Sequence, residues 1–299
     1  MLGGEKGRSM GASAPSKRLS SIPYLWPLVI VIVLLLLLTF SWSSVDTPTT
    51  LSKANSPIDA IVFICMGKWT QTAILEHGIN SLRSRGGWAG AVYVLTDRDD
   101  GWPVLRDVYN VNVVTVPPAD SKLAIHSYKC KMFDYVAADV KRVLYMDADI
   151  IVSTNMKRFL SHLDLHLVED SNANMGLFQD AGGHFWGGCQ DCDYWHGGVM
   201  FATRGQSEPC LGKWCDEIFS GKYTADQAAL DYISTHVDEC SGMFAMDGRY
   251  LMFMKDYTSV FFNSAKTFSH VTAAGRMEEQ SWFYRWIVRV KLGIRMENA

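Results

Sequence analysis

One stretch, Val143 to Val152 (VLYMDADIIV), limits the choice of fold more than any other. Val143, Leu144, Tyr145 and Met146 offer no polar face to solvent, so the first half reads as a buried strand. The strand runs into Asp147, Ala148 and Asp149, and a second apolar run follows. In an extended chain, residues i and i+2 point the same way, about 6.6 Å apart along it. Asp147 and Asp149 are therefore expected to converge on one cation, with Ala148 leaving room for a ligand against the backbone. Carboxylate oxygens suit hard cations such as Mg²⁺ or Mn²⁺, which keep open positions for phosphate oxygens. The carboxyl end of a buried strand is also where open α/β sheets bind ligands. Taken alone, Asp-x-Asp is equally compatible with two strand-end acids in a solvated turn.

The surrounding pattern supports an α/β architecture. Ala60 to Met66 (AIVFICM) reads as a first buried strand, and Leu75, Gly78, Ile79 and Leu82 as the inner face of a helix. Further strands are expected at Ala91–Asp97 and Asn112–Val116, then a helix through Tyr128, Met132, Tyr135 and Val136 that delivers the chain to Val143. Strands alternating with helices predict a mostly parallel sheet covered on both faces. Beyond Asp149 the alternation loosens. Met175–Asp180 and Gly197–Thr203 are short strand candidates, and Pro209 opens a helix carrying Leu211, Trp214 and Ile218, with Gly221 as its stop. Another helix starts near Ala225, and Thr267–Val271 is the last strand candidate.

The 299 residues carry 28 basic and 31 acidic side chains, and neither that balance nor any long basic run suggests nucleic acid. Hydrophobic residues reach 48%, raised by the run Tyr24 to Phe40. That run has about the length that crosses a bilayer, at the short end of the range. Lys6, Arg8, Lys17 and Arg18 precede it, and only Asp46 is charged in the near downstream flank. The asymmetry predicts a cytosolic tail at 1–22, a transmembrane signal anchor at 23–42 and a lumenal remainder. The run is longer than the apolar core of a usual cleaved signal peptide. A short span suits the thinner membranes of the early secretory pathway, so the expected location is the Golgi membrane, single-pass type II. Residues 43–57 read as a polar stem and 58–299 as one lumenal domain. All seven cysteines follow the span, where an oxidising lumen permits disulfides, and an odd count leaves at least one thiol over.

The stretch KCKMFDYVAADVKRVLYMDADIIVSTNM resembles the core of glycosyltransferase family 8, the glycogenin-like enzymes with a GT-A fold. The resemblance continues through WHGGVMF and Asp226-Gln227, ends at His270 after an apolar strand, and covers Ile58 to about Arg276. It implies transfer of a sugar from a nucleotide donor, a UDP-sugar, to a glycan, protein or lipid acceptor, with the anomeric configuration retained. It implies Mn²⁺ (or Mg²⁺) held by Asp147, Asp149 and His270. Lys131 would contact a phosphate or a sugar hydroxyl. Asp226 and Gln227 would hold the donor sugar near its anomeric carbon, with His196 and Gly197 beside them, while Met66, Gly67 and Ala148 would line the donor pocket. The chemistry suits these parts, since a departing diphosphate gains charge as the glycosidic bond breaks.

Three positions depart from the family pattern. His196 stands where family members carry asparagine. The Gly-x-x-Lys-Pro-Trp segment after the metal histidine is absent, and Gly275-Arg276 is the nearest substitute, with Arg276 as a diphosphate clamp. The tyrosine that stacks on the nucleobase is missing, and Trp69 takes its place in this reading. A phosphatase of the Asp-x-Asp type needs a small hydroxyl residue or glycine after the second acid, and Ile150 and Ile151 argue against one. The remaining alternative is a non-catalytic protein of the same fold that binds sugar nucleotide or glycan. Cys189-x-x-Cys192 beside His196 is a weak zinc signal without a second pair. Trp282 to Arg295, aromatic and basic, reads as a final helix packed on the domain or lying on a membrane surface.

Overall fold

The computed structural model describes residues 50–71, 73–180, 194–223, 226–253 and 266–271. The predicted tail and signal anchor, the Cys189–Cys192 loop, Gly275, Arg276 and the segment from Trp282 to Arg295 lie outside them. Among the described residues no helix is long and apolar enough to cross a membrane.

The expected alternation forms. Strand β1 (Ala60–Ile64) is followed by helix α1 (Ile74–Ser84), β2 (Ala91–Thr96), the short α2 (Pro103–Asp107), β3 (Asn112–Thr115), α3 (Lys122–Cys130) and β4 (Arg142–Asp147). After β4 come β5 (Ile150–Val152), α4 (Lys157–Glu169), β6 (Met175–Asp180), β7 (Tyr194–Thr203), α5 (Glu208–Phe219), α6 (Asp226–His236), β8 (Met243–Met246), β9 (Leu251–Phe253) and β10 (Phe268–His270). Seven strands make one sheet in the order β3-β2-β1-β4-β7-β6-β8, and β5-β10-β9 make a second, smaller sheet. In the large sheet β3, β2, β1 and β4 are parallel neighbours, β7 runs antiparallel to β4 and β6, and β8 lies parallel to β6.

Alternation along each strand feeds two cores, one on each face of the large sheet. Ile61 and Phe63 of β1, Leu144 and Met146 of β4 and Val199 and Phe201 of β7 point to one side, against Leu75, Ile79 and Leu82 of α1 and Phe159, Leu160 and Leu163 of α4. Val62, Tyr145 and Met200 point to the other, against Leu211, Trp214 and Ile218 of α5 and Leu230 and Ile233 of α6. The apolar residues of α1 and α5 are those whose helical spacing marked them as inward. A disulfide joins Cys210 on α5 to Cys240, and Cys65, Cys130 and Cys215 are buried free thiols among the described residues.

Three local features differ from the sequence expectation. The helix expected through Val136 stops at Cys130 and gives way to a single 3-10 turn at Met132–Asp134. Met132 and Phe133 in that turn are both buried. Leu51, expected in the stem, is buried in the first core, and its backbone bonds Gly87 and Ala89 on both sides. The chain is therefore folded onto the domain ahead of Ile58. Finally, VLYMDADIIV is not one strand. It leaves the large sheet at Asp147, turns through Ala148 and Asp149, and enters the small sheet at Ile150.

Candidate functional site

In the large sheet, β1 connects outward to β2 on one side, while β4 returns on its other side. Strand order reverses between β1 and β4, and ligands of open α/β sheets bind beyond the carboxyl ends at such a point. Ile64 pairs with Asp147, so the segment after β1 leads straight to this crevice. Met66 is buried there. Gly67 sits at φ +60, a left-handed conformation that glycine adopts without steric cost, and its N–H donates to both carboxylate oxygens of Asp97 at the end of β2. Trp69 follows in a 3-10 turn, half-buried against the first core, with the Lys68 ammonium 5.6 Å from its ring centre. Met66, Gly67 and Trp69 thus follow the carboxyl end of β1, the strand that pairs with β4 beside Asp147.

Asp147 and Asp149 do converge, through the turn between β4 and β5 and not through the pleat of a single strand. His270 reaches them from far along the chain, because β10 pairs with β5 and places His270 opposite Ile150. The N–H of Val271 donates to the Asp149 carbonyl at 3.0 Å, which extends that pairing to the turn itself. On the inner side, Ser81 of α1 accepts the Val152 N–H at 2.9 Å, and Phe268 meets Phe159 of α4 edge-on at 4.8 Å. One carboxylate oxygen from each aspartate and one ring nitrogen of His270 lie within 4.8 Å of one another. His270 Nε2 stands 3.1 Å from Asp149 Oδ1. Two adjacent ligands about 2.1 Å from an octahedral ion stand roughly 3 Å apart, so this pair has the spacing of neighbouring ligands. Two carboxylates and an imidazole are also a donor set suited to Mn²⁺. The aspartate side chains keep 25% and 19% of their surface, which leaves a face open to a ligand.

Behind the acids lies a buried charge network. Lys129 on α3 is buried, and its ammonium stands 3.1 Å from Asp147 Oδ1, 3.0 Å from Asp226 Oδ2 and 3.1 Å from the Gly197 carbonyl. Burial opposes its charge, but Asp147 and Asp226 outweigh burial and hold its pKa above the ordinary lysine value. Asp226 is 2% exposed. Burial would raise its pKa, yet Lys129 and then His126 (Nδ1 to Oδ1, 3.2 Å) hold it well below the usual carboxylate range. Asp147 is likewise held low against burial, by Lys129 and His270, and it accepts the Tyr145 hydroxyl. Lys131, the lysine expected at the phosphate, is exposed and lies beside Tyr128, Tyr135 and Asp120, apart from this cluster. Lys129, His126 and Tyr145 belong to the cluster but were not marked by the sequence. His126 and Lys129 lie three apart on one helix face, the only local signal that they act together. Gln227, next to Asp226, is half-buried.

Strand β7 supplies the remaining wall. Its register against β6 jumps at Leu177/Phe178, from Leu177↔Met200 to Phe178↔His196, so Gly197, Gly198 and Val199 bulge out of that pairing. Gly197 packs toward Leu230 and Asp226. A Cβ on Gly198 would sit 2.4 Å from His196 Cε1 and 2.8 Å from Asp147 Oδ2, so only glycine fits between them. His196 is 1% exposed, and its Nε2 is 3.0 Å from His270 Nδ1. Burial, reinforced by the neighbouring His270, pushes its pKa well down. For His270 burial acts the same way, but the Asp149 carboxylate more than reverses it.

No protein-family model matches the chain, and no curated protein is similar to it in sequence. Its fold is nevertheless found among solved structures: the mixed α/β sheet with flanking helices is that of GT-A glycosyltransferases. One such structure is an active-site mutant of LgtC, with a TM-score of 0.55 at 14% identity over 80% of this chain and 97% of that one. The galactosyltransferase LgtC in complex with donor and acceptor sugar analogues gives 0.51 at 13% identity over the same shares. The glycosyltransferase GlyE of Streptococcus pneumoniae TIGR4, in its apo form, gives 0.54 at 15% identity, covering 79% of this chain and 60% of that one.

Proposed function

We propose that the chain is a divalent-cation-dependent, retaining glycosyltransferase of the family 8 kind, moving a hexose or pentose from a UDP-sugar to a glycan, protein or lipid acceptor. The observation that carries this reading is the meeting of Asp147, Asp149 and His270 at the switch point of a glycosyltransferase sheet. Those three side chains would hold Mn²⁺ or Mg²⁺, which when bound stabilises negative charge on a departing diphosphate. LgtC, which shares the fold, has been seen with donor and acceptor sugar analogues, and this supports a sugar nucleotide as ligand.

The chain's own residues divide the remaining work. Backbone at Met66, Gly67 and Ala148 faces the nucleotide, and Trp69 offers a ring for its base. Gln227, half-buried, is assigned to the transferred sugar, as the resemblance implies, while Asp226, held by Lys129 and His126, stands behind it in the buried charge network. Lys129 keeps Asp147 and Asp226 ionised side by side, which two buried carboxylates would not tolerate alone. Arg276, after Gly275, is assigned to the diphosphate, as the resemblance implies. The same reading assigns the protein to the Golgi membrane as a single-pass type II protein, with residues 1–22 cytosolic, 23–42 spanning and the remainder lumenal, its folded part including Leu51.

The test is release of free nucleotide by the full-length chain in detergent, screened over UDP-, GDP- and CMP-sugars with and without Mn²⁺. Release from a UDP-sugar that requires Mn²⁺ is the expected result. No release from any donor under Mn²⁺ or Mg²⁺ would refute catalysis.

A further inference from the structure

We propose that His196 is a positioning residue that fixes the ring of the metal ligand His270, and that it does not touch the transferred sugar. This role rests on the metal site proposed above and concerns a residue outside its ligand set. The sequence places His196 where an asparagine meets a sugar hydroxyl, but the structure gives it a different neighbour. Its Nε2 is 3.0 Å from His270 Nδ1, the ring nitrogen that does not face Asp149. Its Nδ1 accepts the Gly198 N–H at 3.3 Å. Both ring nitrogens are thus engaged within the protein, and at 1% exposure the ring offers no face to a ligand in the cleft, whereas Asp147 keeps a quarter of its side-chain surface.

The fold is shaped around this contact. The register of β7 against β6 shifts between Met200 and His196, and the glycine at 198 clears the space that the His196 ring and Asp147 share. A metal-bound imidazole needs its second nitrogen held, since that bond sets ring orientation and tautomer. A neutral His270 that ligates through Nε2 carries its proton on Nδ1, so His196 Nε2 accepts it, and the His196 proton then sits on Nδ1 in place of the Gly198 N–H contact. A leucine or phenylalanine there would remove the contact that His196 makes with His270 Nδ1.

The experiment compares wild type, His196→Phe and His196→Gln in the full-length chain in detergent. Free Mn²⁺ is followed by electron paramagnetic resonance, and donor affinity is then measured at saturating Mn²⁺. His196→Phe is expected to weaken Mn²⁺ binding by about 10–100-fold, the usual loss when such a partner is removed. His196→Gln should stay close to wild type, and donor affinity at saturating Mn²⁺ should be unchanged in both. Wild-type Mn²⁺ affinity in His196→Phe overturns the role. So does intact Mn²⁺ affinity with weakened donor binding, which would make His196 a sugar contact. Absence of Mn²⁺ binding by wild type overturns the metal site itself and this role with it. If His196→Phe fails to fold, ¹⁵N-histidine NMR of the wild type with Mg²⁺ decides. A slowly exchanging imidazole N–H shared between two histidines is expected, and its absence overturns the role.

Discussion

Lys129→Met isolates the buried charge network. The substitution keeps the length of the side chain and its packing but removes the cation between Asp147 and Asp226. Asp226, almost fully buried, then keeps His126 Nδ1 at 3.2 Å among its described partners. Removing one member of a buried ion pair costs about 3–5 kcal/mol, because the other is left charged without compensation. The residual contact with His126 places the expected loss near the lower end, about 3 kcal/mol. For a domain of this size each kcal/mol moves the midpoint by roughly 2–4 °C, so Tm should fall by about 6–12 °C. Lys131→Met, two residues away at an exposed position, should change stability by less than about 0.5 kcal/mol. Urea unfolding followed by tryptophan fluorescence reads both. The pairwise part comes from a double-mutant cycle with Asp226→Asn, where a coupling of about 1–3 kcal/mol is expected. Additive losses, or a Lys129→Met variant as stable as Lys131→Met, would refute a shared buried network.

Asp231 accepts the Trp195 N–H at 2.9 Å, and burial raises its carboxyl pKa to about 6. Between that value and the unfolded one near 4 the folded state binds more protons, so this group lowers stability as pH rises through the window. Asp231→Asn should therefore gain stability relative to wild type at pH 7 and lose that advantage at pH 4, as read by thermal melts across pH. The Cys210–Cys240 bond closes a separation of 30 residues, and replacing both cysteines by alanine should cost roughly 3–4 kcal/mol. An unchanged urea midpoint would contradict that. Gly198→Ala forces a methyl group between His196 and Asp147 and should cost about 1–3 kcal/mol while weakening Mn²⁺ binding. Retained Mn²⁺ affinity in that variant would show that the loop adapts.

Much of the frame could be read from the sequence because it follows local periodicity. The apolar face of α1 and the buried runs of β1 and β4 are patterns within single elements, and their order implies the parallel sheet. Asp147 and Asp149 stood out because a carboxylate pair ending a buried strand is chemically conspicuous. The turn between them was hidden, because Ile150 to Val152 is as apolar as Val143 to Met146 and nothing local marks the change of sheet. His270 entered through resemblance alone. Its approach depends on pairing between β10 and β5, which no local pattern encodes. Lys131 enters through the resemblance, which does not mark Lys129. The partners that bury Lys129 lie far away in sequence, at Gly197 and Asp226. His196 was legible as a site residue, but its contact with His270 depends on the bulge in β7.

The most direct measurement is the thermal stability of the full-length chain in detergent with UDP-sugars, with and without Mn²⁺, in wild type and in Asp149→Asn. A ligand bound only by the native state at a hundred times its Kd adds about 2.7 kcal/mol. The account predicts a rise in Tm with at least one UDP-sugar that requires Mn²⁺ and disappears in Asp149→Asn, while the variant on its own still melts cooperatively. A rise that persists without Mn²⁺ and in Asp149→Asn would contradict the metal site. No rise with any donor would contradict the assignment of a nucleotide-sugar enzyme.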